Sequence, residues 1–272
     1  MLDRTSPIGI IDSGIGGFSV ARKVQKYLPG ENLIYFGDNA NVPYGNNTGG
    51  NILNMTRYML RFMEQRRVKV LLVACNTISC LIDHYRDDMS CPVFSIVQAG
   101  ADAVRELDLD QVGVLSTCFT ADSRCYPDLI GKQSPKTRVF SCGSPDLVSV
   151  VERHLSDPEG QEVIDNSIRA NMERLLAMAD IRSCVLGCTH FPLLEDRFRR
   201  LFPEVTLIDP AEQMAKTVRT YLERNDLANP SRSVGAMNIF TTGDVDKCRA
   251  DAEQAGLSPI SSVQFYPPMR VS

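Results

Sequence analysis

Two short apolar runs that each end in a cysteine constrain the fold most strongly. The first, residues 68–77, reads VKVLLVACNT, and the second, residues 183–192, reads SCVLGCTHFP. Continuous apolar runs of this kind are typical of strands in a parallel sheet that is covered on both faces. Ligands of such sheets gather at the carboxyl ends of the strands. The two runs therefore predict that Cys75 and Cys188 lie at ligand-binding sheet edges and face each other.

Strand-like and helix-like patterns alternate along the rest of the chain. Apolar runs predict strands at residues 8–11, 33–36, 70–74, 92–97, 112–117 and 205–209, and helices are predicted over 52–66, 77–84, 147–154 and 212–223. The pattern occurs twice in the same order. The strand that begins at Val112 repeats the strand that begins at Ile8, 104 positions earlier. In the same way, Cys188 lies 113 positions after Cys75. The predicted fold class is α/β, with two pseudo-symmetric domains and mainly parallel sheets.

The composition is that of a soluble folded protein and excludes several classes of function. The net charge of −4 comes from 33 acidic and 29 basic residues without a long basic block, so nucleic acid is not an expected partner. No apolar stretch approaches the roughly 20 residues that span a bilayer, and the N-terminus lacks a secretion signal. Nine cysteines, an odd number in a chain of this size, suit a reducing compartment. We therefore expect a cytoplasmic protein that has no membrane partner.

Two opposed thiols suit the removal of a proton from one face of a carbon and its return to the other. A free thiol has a pKa of about 8.5, and polar neighbours lower it, so a thiol and a thiolate coexist near neutral pH. One sulfur then acts as the base and the other as the acid. A nucleophilic Cys-His hydrolase is the alternative, but it needs one thiol and leaves the second unexplained.

The imidazole of His190 is expected to lie beside Cys188. In an extended strand the two side chains share one face, with Cα atoms about 6.6 Å apart. Cys184 would lie about 13 Å back along the same strand, so the zinc site that Cys184, Cys188 and His190 suggest is not expected. Glu152 is equally compatible with a solvated acid on the 147–154 helix and with a role in the site.

Polar residues at the other strand ends complete the predicted site. Asp12 and Ser13 follow the first strand, where they either face a ligand or cap a helix. Asn76, Thr77 and Thr189 offer hydroxyl, amide and backbone N–H groups to a carboxylate. Nucleotide-binding motifs are excluded, because Ser19 replaces the last glycine of a dinucleotide fingerprint and Gln133 follows Gly131-Lys132 where a P-loop needs Ser or Thr.

Several motifs, in order and spacing, resemble those of the glutamate racemase family of the aspartate/glutamate racemase superfamily. They are DSGIGG at residues 12–17, FGD at 36–38, PYG at 43–45, ACNT at 74–77 and GCTH at 187–190, with Thr117, Thr120, Ser123, Tyr126 and TGD at 242–244 in support. The resemblance covers nearly the whole chain. It implies an isomerase without a cofactor that interconverts L- and D-glutamate and supplies D-glutamate for bacterial peptidoglycan. The resemblance is also compatible with a homodimer.

The resemblance also implies roles for the site residues and boundaries for two domains. Cys75 and Cys188 would be the acid and base, supported by Asp12, Glu152 and His190. Substrate contacts would come from Asp12, Ser13, Tyr44, Gly45, Asn76, Thr77, Thr189 and His190, and no metal is implied. The implied fold has a first domain of residues 1–98 plus 210–272, a second of 99–209, and an active site in the cleft between them.

The departures from the family pattern are modest and leave the chemistry intact. Asn39, Asn41, Ala99, Phe191 and Cys248 each stand where another residue type is common. Some members carry an N-terminal extension linked to activation by a cell-wall precursor; here eleven residues precede Asp12, so no such activation is expected. Two alternatives stay open: racemisation of aspartate or another acidic amino acid, and binding of an amino acid without catalysis.

Overall fold

Two separate parallel sheets form the framework of the protein. The computed structural model describes residues 3–155, 157, 159–231 and 233–269. The strands are β1 (Ile8–Asp12), β2 (Leu33–Gly37), β3 (Val70–Val73), β4 (Val93–Ser95), β5 (Gln111–Thr117), β6 (Arg138–Ser144), β7 (Ser183–Gly187), β8 (Thr206–Ile208), β9 (Met237–Thr241) and β10 (Ser262–Phe265). One sheet has the order β10-β9-β2-β1-β3-β4 and the other β6-β5-β7-β8. All pairings are parallel, which confirms the α/β prediction.

Helices cover both sheets and connect their strands. They are α1 (Phe18–Tyr27), α2 (Gly49–Gln65), α3 (Asn76–Ser79), α4 (Ile96–Glu106), α5 (Cys118–Asp122), α6 (Cys125–Gln133), α7 (Leu147–His154), α8 (Gln161–Leu176), α9 (Glu195–Leu201), α10 (Pro210–Arg224) and α11 (Val245–Gln254). Short 3₁₀ turns lie at Asn39–Asn41, Tyr44–Asn46, Ile82–His84, Arg86–Asp88 and Phe191–Leu194. None of the described helices is long and apolar enough to cross a membrane.

The two cysteine runs form central strands, as their apolar composition requires. Every residue of β1 and β3 is buried, and in β7 only Ser183 is partly exposed. β1 lies between β2 and β3, and β5 lies between β6 and β7. The carboxyl ends of β1 and β3 are therefore adjacent in one sheet, and those of β5 and β7 are adjacent in the other.

The two halves are joined by α4 and α10. The helix α4 packs against α10 and α6 and contacts β4 of the first sheet and β7 and β8 of the second. The helix α10 packs on α1 as well as on α4. Because β9 and β10 pair beside β2, we propose the division into a first domain of residues 1–98 plus 210–272 and a second of 99–209.

The helix predicted over residues 77–84 is much shorter in the structure. The helix α3 ends at Ser79, and a 3₁₀ turn follows at Ile82–His84. The carbonyl of Ile78 accepts from the Leu81 N–H and from the hydroxyl of the buried Tyr85. These bonds replace the one that a continuing α-helix would make to residue 82. Docking of Tyr85 thus accompanies the end of the helix.

The strand predicted over residues 92–97 is also too long. It ends at Ser95, whose hydroxyl accepts a hydrogen bond from the N–H of Gln98 and so caps α4. Ile96 and Val97 are buried as the first residues of that helix. In a short apolar run, periodicity cannot distinguish the end of a strand from the start of a buried helix. The capping hydrogen bond of Ser95 therefore determines where the helix begins.

Candidate active site

Side chains from the facing ends of both sheets enclose one narrow cavity. Its lining residues are Ser13, Pro43, Tyr44, Gly45, Cys75, Asn76, Thr77, Thr117, Val148, Cys188, Thr189 and His190. The free volume is about 10 Å³, which is at the lower limit for one water molecule. A larger groove of about 580 Å³ between α4 and α10 contains none of the predicted site residues. We assign the site to the small cavity because the thiols and the imidazole meet there.

Cys75 stands at the carboxyl end of β3, beside the end of β1. Its Sγ lies 3.5 Å from the Oγ of Ser13, to which it donates. Burial raises the pKa of the Cys75 thiol to about 12, and the neighbouring Asp12 adds to the rise. The N–H of Ile78 and the hydroxyl of Ser13 act in the opposite direction. In this closed arrangement Cys75 is therefore a protonated thiol at neutral pH.

Cys188 is the first residue after β7 and belongs to a chain of three groups. Its Sγ lies 3.8 Å from Nδ1 of His190, and Nε2 of His190 lies 2.6 Å from Oε1 of Glu152. Burial opposes a charge on the imidazole, but hydrogen bonds to Cys188 and Glu152 outweigh burial and raise the pKa of His190 well above its usual value. The imidazole is therefore an imidazolium at neutral pH, and both of its nitrogens are donors.

The contact between Cys188 and His190 arises from a turn and not from an extended strand. The strand β7 ends at Gly187, and His190 has a helical backbone conformation. The two side chains lie together as predicted, but the predicted reason, a shared strand face, was wrong. The turn after β7 brings the ring to the sulfur. Cys184 lies in the apolar core, where its thiol contacts the carbonyl of Val185.

Glu152 is not a solvated acid on the surface of α7. Only 15% of its side chain is exposed; its Oε1 accepts from Nε2 of His190 and lies against the loop after β1, 3.0 Å from where a Cβ on Gly14 would stand. Burial acts to raise the pKa of its carboxyl, but the hydrogen bond and charge of His190 lower the pKa below its usual value. Glu152 therefore carries a negative charge that balances the imidazolium and ties α7 to the loop after β1.

Asp12 lies directly behind the wall of the cavity. It is fully buried and does not line the cavity, and its Oδ2 accepts from the hydroxyl of Thr189 at 3.2 Å. The N–H of Gly14 donates to Oδ1 at 3.0 Å. Burial raises the pKa of Asp12 to about 6, although His190 and these donors act to lower it. Neither Asp12 nor Ser13 caps α1, whose N-cap is Gly17.

Asn76 and Thr77 are fixed by partners from the second half of the chain. Tyr126 donates its hydroxyl to Oδ1 of Asn76 at 2.7 Å, which leaves the amide N–H₂ of Asn76 to face a ligand. The hydroxyl of Thr77 lies 3.1 Å from that of Thr117, which in turn contacts Thr120. These contacts fix Asn76 and Thr77 of α3, together with Thr117 at the end of β5, on one wall of the cavity.

Tyr44 reaches the cavity from the 3₁₀ turn that follows β2. Its hydroxyl donates to Oδ2 of Asp38 at 2.6 Å, and Thr242 donates to Oδ1 of the same carboxylate at 2.7 Å. Gly45 packs so closely on Thr117 that a Cβ there would lie 3.1 Å from the threonine Cβ. The turn is thus held between the end of β9 and the end of β5.

The backbone of the loop after β1 approaches the second half of the chain very closely at Gly16. A Cβ on Gly16 would lie 2.7 Å from Nδ1 of His190 and would also clash with Oγ1 of Thr189. Ser19 donates its hydroxyl to the carbonyl of Thr189 at 3.2 Å. A glycine is therefore required where the first half of the chain positions Thr189 and His190.

All eleven predicted site residues lie at or directly behind the cavity. Nine line it, and Asp12 and Glu152 support Thr189 and His190 from behind. Four supporting residues had no predicted role: Asp38, Thr117, Thr120 and Tyr126. Thr117 carries a signal that sequence reasoning can use, because it ends a predicted strand, whereas the contact of Tyr126 with Asn76 depends on the tertiary fold.

Known proteins match this chain over most of its length. Residues 8–218 match the family model described as Asp/Glu/Hydantoin racemase. The chain is 38% identical over 227 residues to a glutamate racemase from Nostoc sp. (strain PCC 7120), covering 82% of this chain and 76% of the relative. It is 35% identical over 245 residues to glutamate racemase 1 from Caldanaerobacter subterraneus, covering 89% and 90%.

Solved structures of glutamate racemases have the same fold. The glutamate racemase isoform RacE1 from Bacillus anthracis superposes with a TM-score of 0.89 at 31% identity, covering 97% of this chain and 98% of that one. The glutamate racemase from Francisella tularensis, solved in complex with D-glutamate, gives a TM-score of 0.87 at 28% identity over the same shares. These matches confirm the resemblance found in the sequence motifs. The chain is an isomerase that belongs to the Asp/Glu/hydantoin racemase family.

Proposed function

We propose that the protein interconverts L- and D-glutamate and that Cys75 and Cys188 transfer the protons on opposite faces of the substrate Cα. The observation that carries the proposal is that these two thiols come from the ends of strands in different sheets and line the same cavity. The relatives named above are glutamate racemases, which supports glutamate as the substrate.

The reaction needs one base and one acid. One sulfur, as a thiolate, takes the α-proton, and the electron pair of the C–H bond passes into the adjacent carboxylate. The other sulfur, as a thiol, then donates its proton to the opposite face of Cα. The roles exchange for the other enantiomer, and both transfers use side chains of the chain itself. We therefore propose that no pyridoxal phosphate takes part.

Polar groups around the cavity are suited to hold the substrate and its developing charge. Ser13 and Thr189 lie beside the two thiols, and Asn76 and Thr77 line the wall between them. Their hydroxyl, amide and backbone N–H groups donate to the α-carboxylate, where charge accumulates once the proton leaves. Tyr44 and Gly45 close the cavity on the side of β2. A site that contains so little water strengthens each of these bonds.

The supporting groups act through the residues that they touch. His190, charged and held by Glu152, donates to the sulfur of Cys188 when that sulfur is a thiolate. Asp12 fixes Thr189 and contributes a negative charge near Cys75. We infer that Asp12 helps to keep Cys75 in its thiol form, and that Glu152 and His190 position the sulfur of Cys188 for proton transfer.

The resemblance to the family supports a cellular role as well. We propose that the enzyme works in the cytoplasm and supplies D-glutamate for peptidoglycan. We also propose that it forms a homodimer, which sedimentation analysis of the purified protein would test.

The exchange of the α-proton with solvent tests the proposed function. In D₂O, L-glutamate should become D-glutamate while its α-proton signal disappears from the NMR spectrum, and D-glutamate should behave in the same way. Aspartate should exchange much more slowly under the same conditions. Saturable binding of glutamate without exchange would instead identify a binding protein, and preferential exchange of aspartate would change the assigned substrate.

A further inference from the structure

A second pair of cysteines lies outside the cavity, where the two halves of the chain meet. Cys80 follows α3 in the first half, and Cys125 is the first residue of α6 in the second half. Their sulfurs are 2.9 Å apart, and both side chains are half-buried. The proposed proton transfers use neither of them.

We propose that Cys80 and Cys125 form a reversible disulfide when the protein meets a peroxide, and that this bond restrains the opening of the cavity. A disulfide bond is about 2.05 Å long, so the two sulfurs need to approach by a further ~0.9 Å. An adjustment of this size is within reach of small side-chain rotations. Disulfides of cytosolic proteins, where they occur, are usually transient and redox-sensing.

The surroundings of Cys125 favour attack on an oxidant. Hydrogen bonds from the Cys80 thiol, the Ser123 hydroxyl and backbone N–H groups of α6 lower the pKa of Cys125, although burial opposes them. The thiolate of Cys125 would attack one oxygen of hydrogen peroxide, giving a sulfenic acid and hydroxide. Cys80 would then attack that sulfur, forming the S–S bond, and the sulfenic oxygen would leave as water with the proton of Cys80. Two thiols and one peroxide thus give one disulfide and two waters.

The pair is directly connected to the wall of the cavity. Cys80 ends the short segment that begins with Cys75 and Asn76, and Tyr126, next to Cys125, donates to Asn76. The cavity is too small for an amino acid in this arrangement, so substrate and product exchange requires its walls to separate. A covalent bond between α3 and α6 would oppose that separation. Only this effect on turnover rests on the proposed racemase activity; formation of the disulfide does not.

Peptide mapping tests the disulfide itself. The full-length protein, treated with hydrogen peroxide, alkylated and digested with trypsin, should yield residues 70–86 joined to residues 125–132, with fragmentation placing the bond at Cys80 and not at Cys75. The joined peptide should disappear on treatment with dithiothreitol. It should persist in a Cys75→Ser variant and be absent from Cys80→Ser. Oxidation of the exposed Cys118 without any joined peptide would overturn the proposal, as would a bond to Cys75.

The rate of racemisation tests whether the disulfide restrains the opening of the cavity. In the disulfide-linked protein the rate of racemisation should fall by about tenfold and recover with dithiothreitol. Cys80→Ser and Cys125→Ser should be fully active without peroxide and should lack this recoverable loss, whereas the control Cys118→Ser should show it. Irreversible loss through over-oxidation of Cys75 or Cys188 would be the same in all of these proteins. A disulfide that forms and leaves turnover unchanged would overturn the restraint.

Discussion

At the scale of single residues, the two thiols of the cavity have unlike surroundings. Cys75 donates to Ser13 and lies near the buried Asp12, whereas Cys188 faces the imidazolium of His190. The negative charge of Asp12 adds to the effect of burial and favours the thiol form of Cys75. This asymmetry suits an acid and a base that must differ in protonation at the start of each turnover.

Replacing either thiol should abolish racemisation while the protein stays folded. In Cys75→Ser and in Cys188→Ser, a hydroxyl replaces the group that transfers a proton, and we expect a loss of about 10²–10⁴-fold or more in kcat. Circular dichroism, which distinguishes L- from D-glutamate, measures the rate of racemisation. A thermal unfolding transition shows whether each variant is folded. The exposed Cys118, changed to Ser, is the control and should keep full activity. Near-normal rates in either cavity variant would refute the two-base assignment.

Asp12 should make the protein less stable as the pH rises from about 4 to 6. Its pKa is raised to about 6 in the folded state from a usual 3.8, so the unfolded chain loses this proton first. The stabilisation from protonated Asp12 is complete below pH 3.8 and is lost as the pH rises through 6, a change of roughly 3 kcal/mol.

The variant Asp12→Asn measures this contribution. Its free energy of unfolding, from urea titrations at several pH values, should lose less between pH 4 and 6 than that of the unchanged protein. The exposed Asp83, changed to Asn, is the matched control and should follow the unchanged protein. Parallel curves for Asp12→Asn and the unchanged protein would contradict the raised pKa.

At the scale of secondary-structure elements, sequence patterns predicted the buried strands and failed where tertiary contacts decide. Runs such as those of β1 and β3 identify themselves by their apolar residues. The edge strand β10 was missed, because its alternation of polar and apolar residues runs over only the four residues Ser262–Phe265, which are partly or fully exposed and are ordered by pairing with β9. The early end of α3 was missed for a similar reason, since it accompanies the docking of Tyr85.

The residues of the site divide in the same way, into those with a local sequence signal and those whose role depends on tertiary contacts. Cys75 and Cys188 were found because each directly follows an apolar run, and all strand ends of a parallel sheet lie on one edge. Glu152 had no such signal, because its position on α7 says nothing about His190, and the family resemblance supplied its role. The contact between Tyr126 and Asn76 joins residues 50 positions apart and had no local signal.

The close approach at Gly16 should make any side chain there harmful. Gly16→Ala would push His190 and Thr189 away, and we expect a loss of about 1–3 kcal/mol of stability together with a marked fall in kcat. Gly131 of α6 is the matched control, because a Cβ there meets nothing within 4 Å. Gly131→Ala should be neutral or stabilising by up to ~1 kcal/mol. Full activity of Gly16→Ala would show that the loop is less tightly packed than the structure indicates.

At the scale of the whole molecule, two halves meet around a cavity that is closed by contacts between them. Thr189 donates to Asp12, and Ser19 donates to the carbonyl of Thr189, so both contacts join the second half to the first half around the loop after β1. These bonds would have to loosen for glutamate to enter. The substrate, once bound, would take part in joining the halves.

Binding of substrate should therefore stabilise the whole protein. Either enantiomer of glutamate at 100 times its Kd should raise the free energy of unfolding by about 2.7 kcal/mol, seen as an increase in Tm. Cys188→Ser, which cannot turn the substrate over, should show the increase with each pure enantiomer. An increase with one enantiomer alone would contradict a site that serves both.

The structure of the protein with glutamate bound, determined by crystallography, tests the central claim most directly. We predict that the sulfurs of Cys75 and Cys188 lie on opposite faces of the substrate Cα, each within about 3–3.5 Å of the reacting centre. Both sulfurs on the same face, or one sulfur out of reach of Cα in the closed complex, would contradict the two-thiol mechanism.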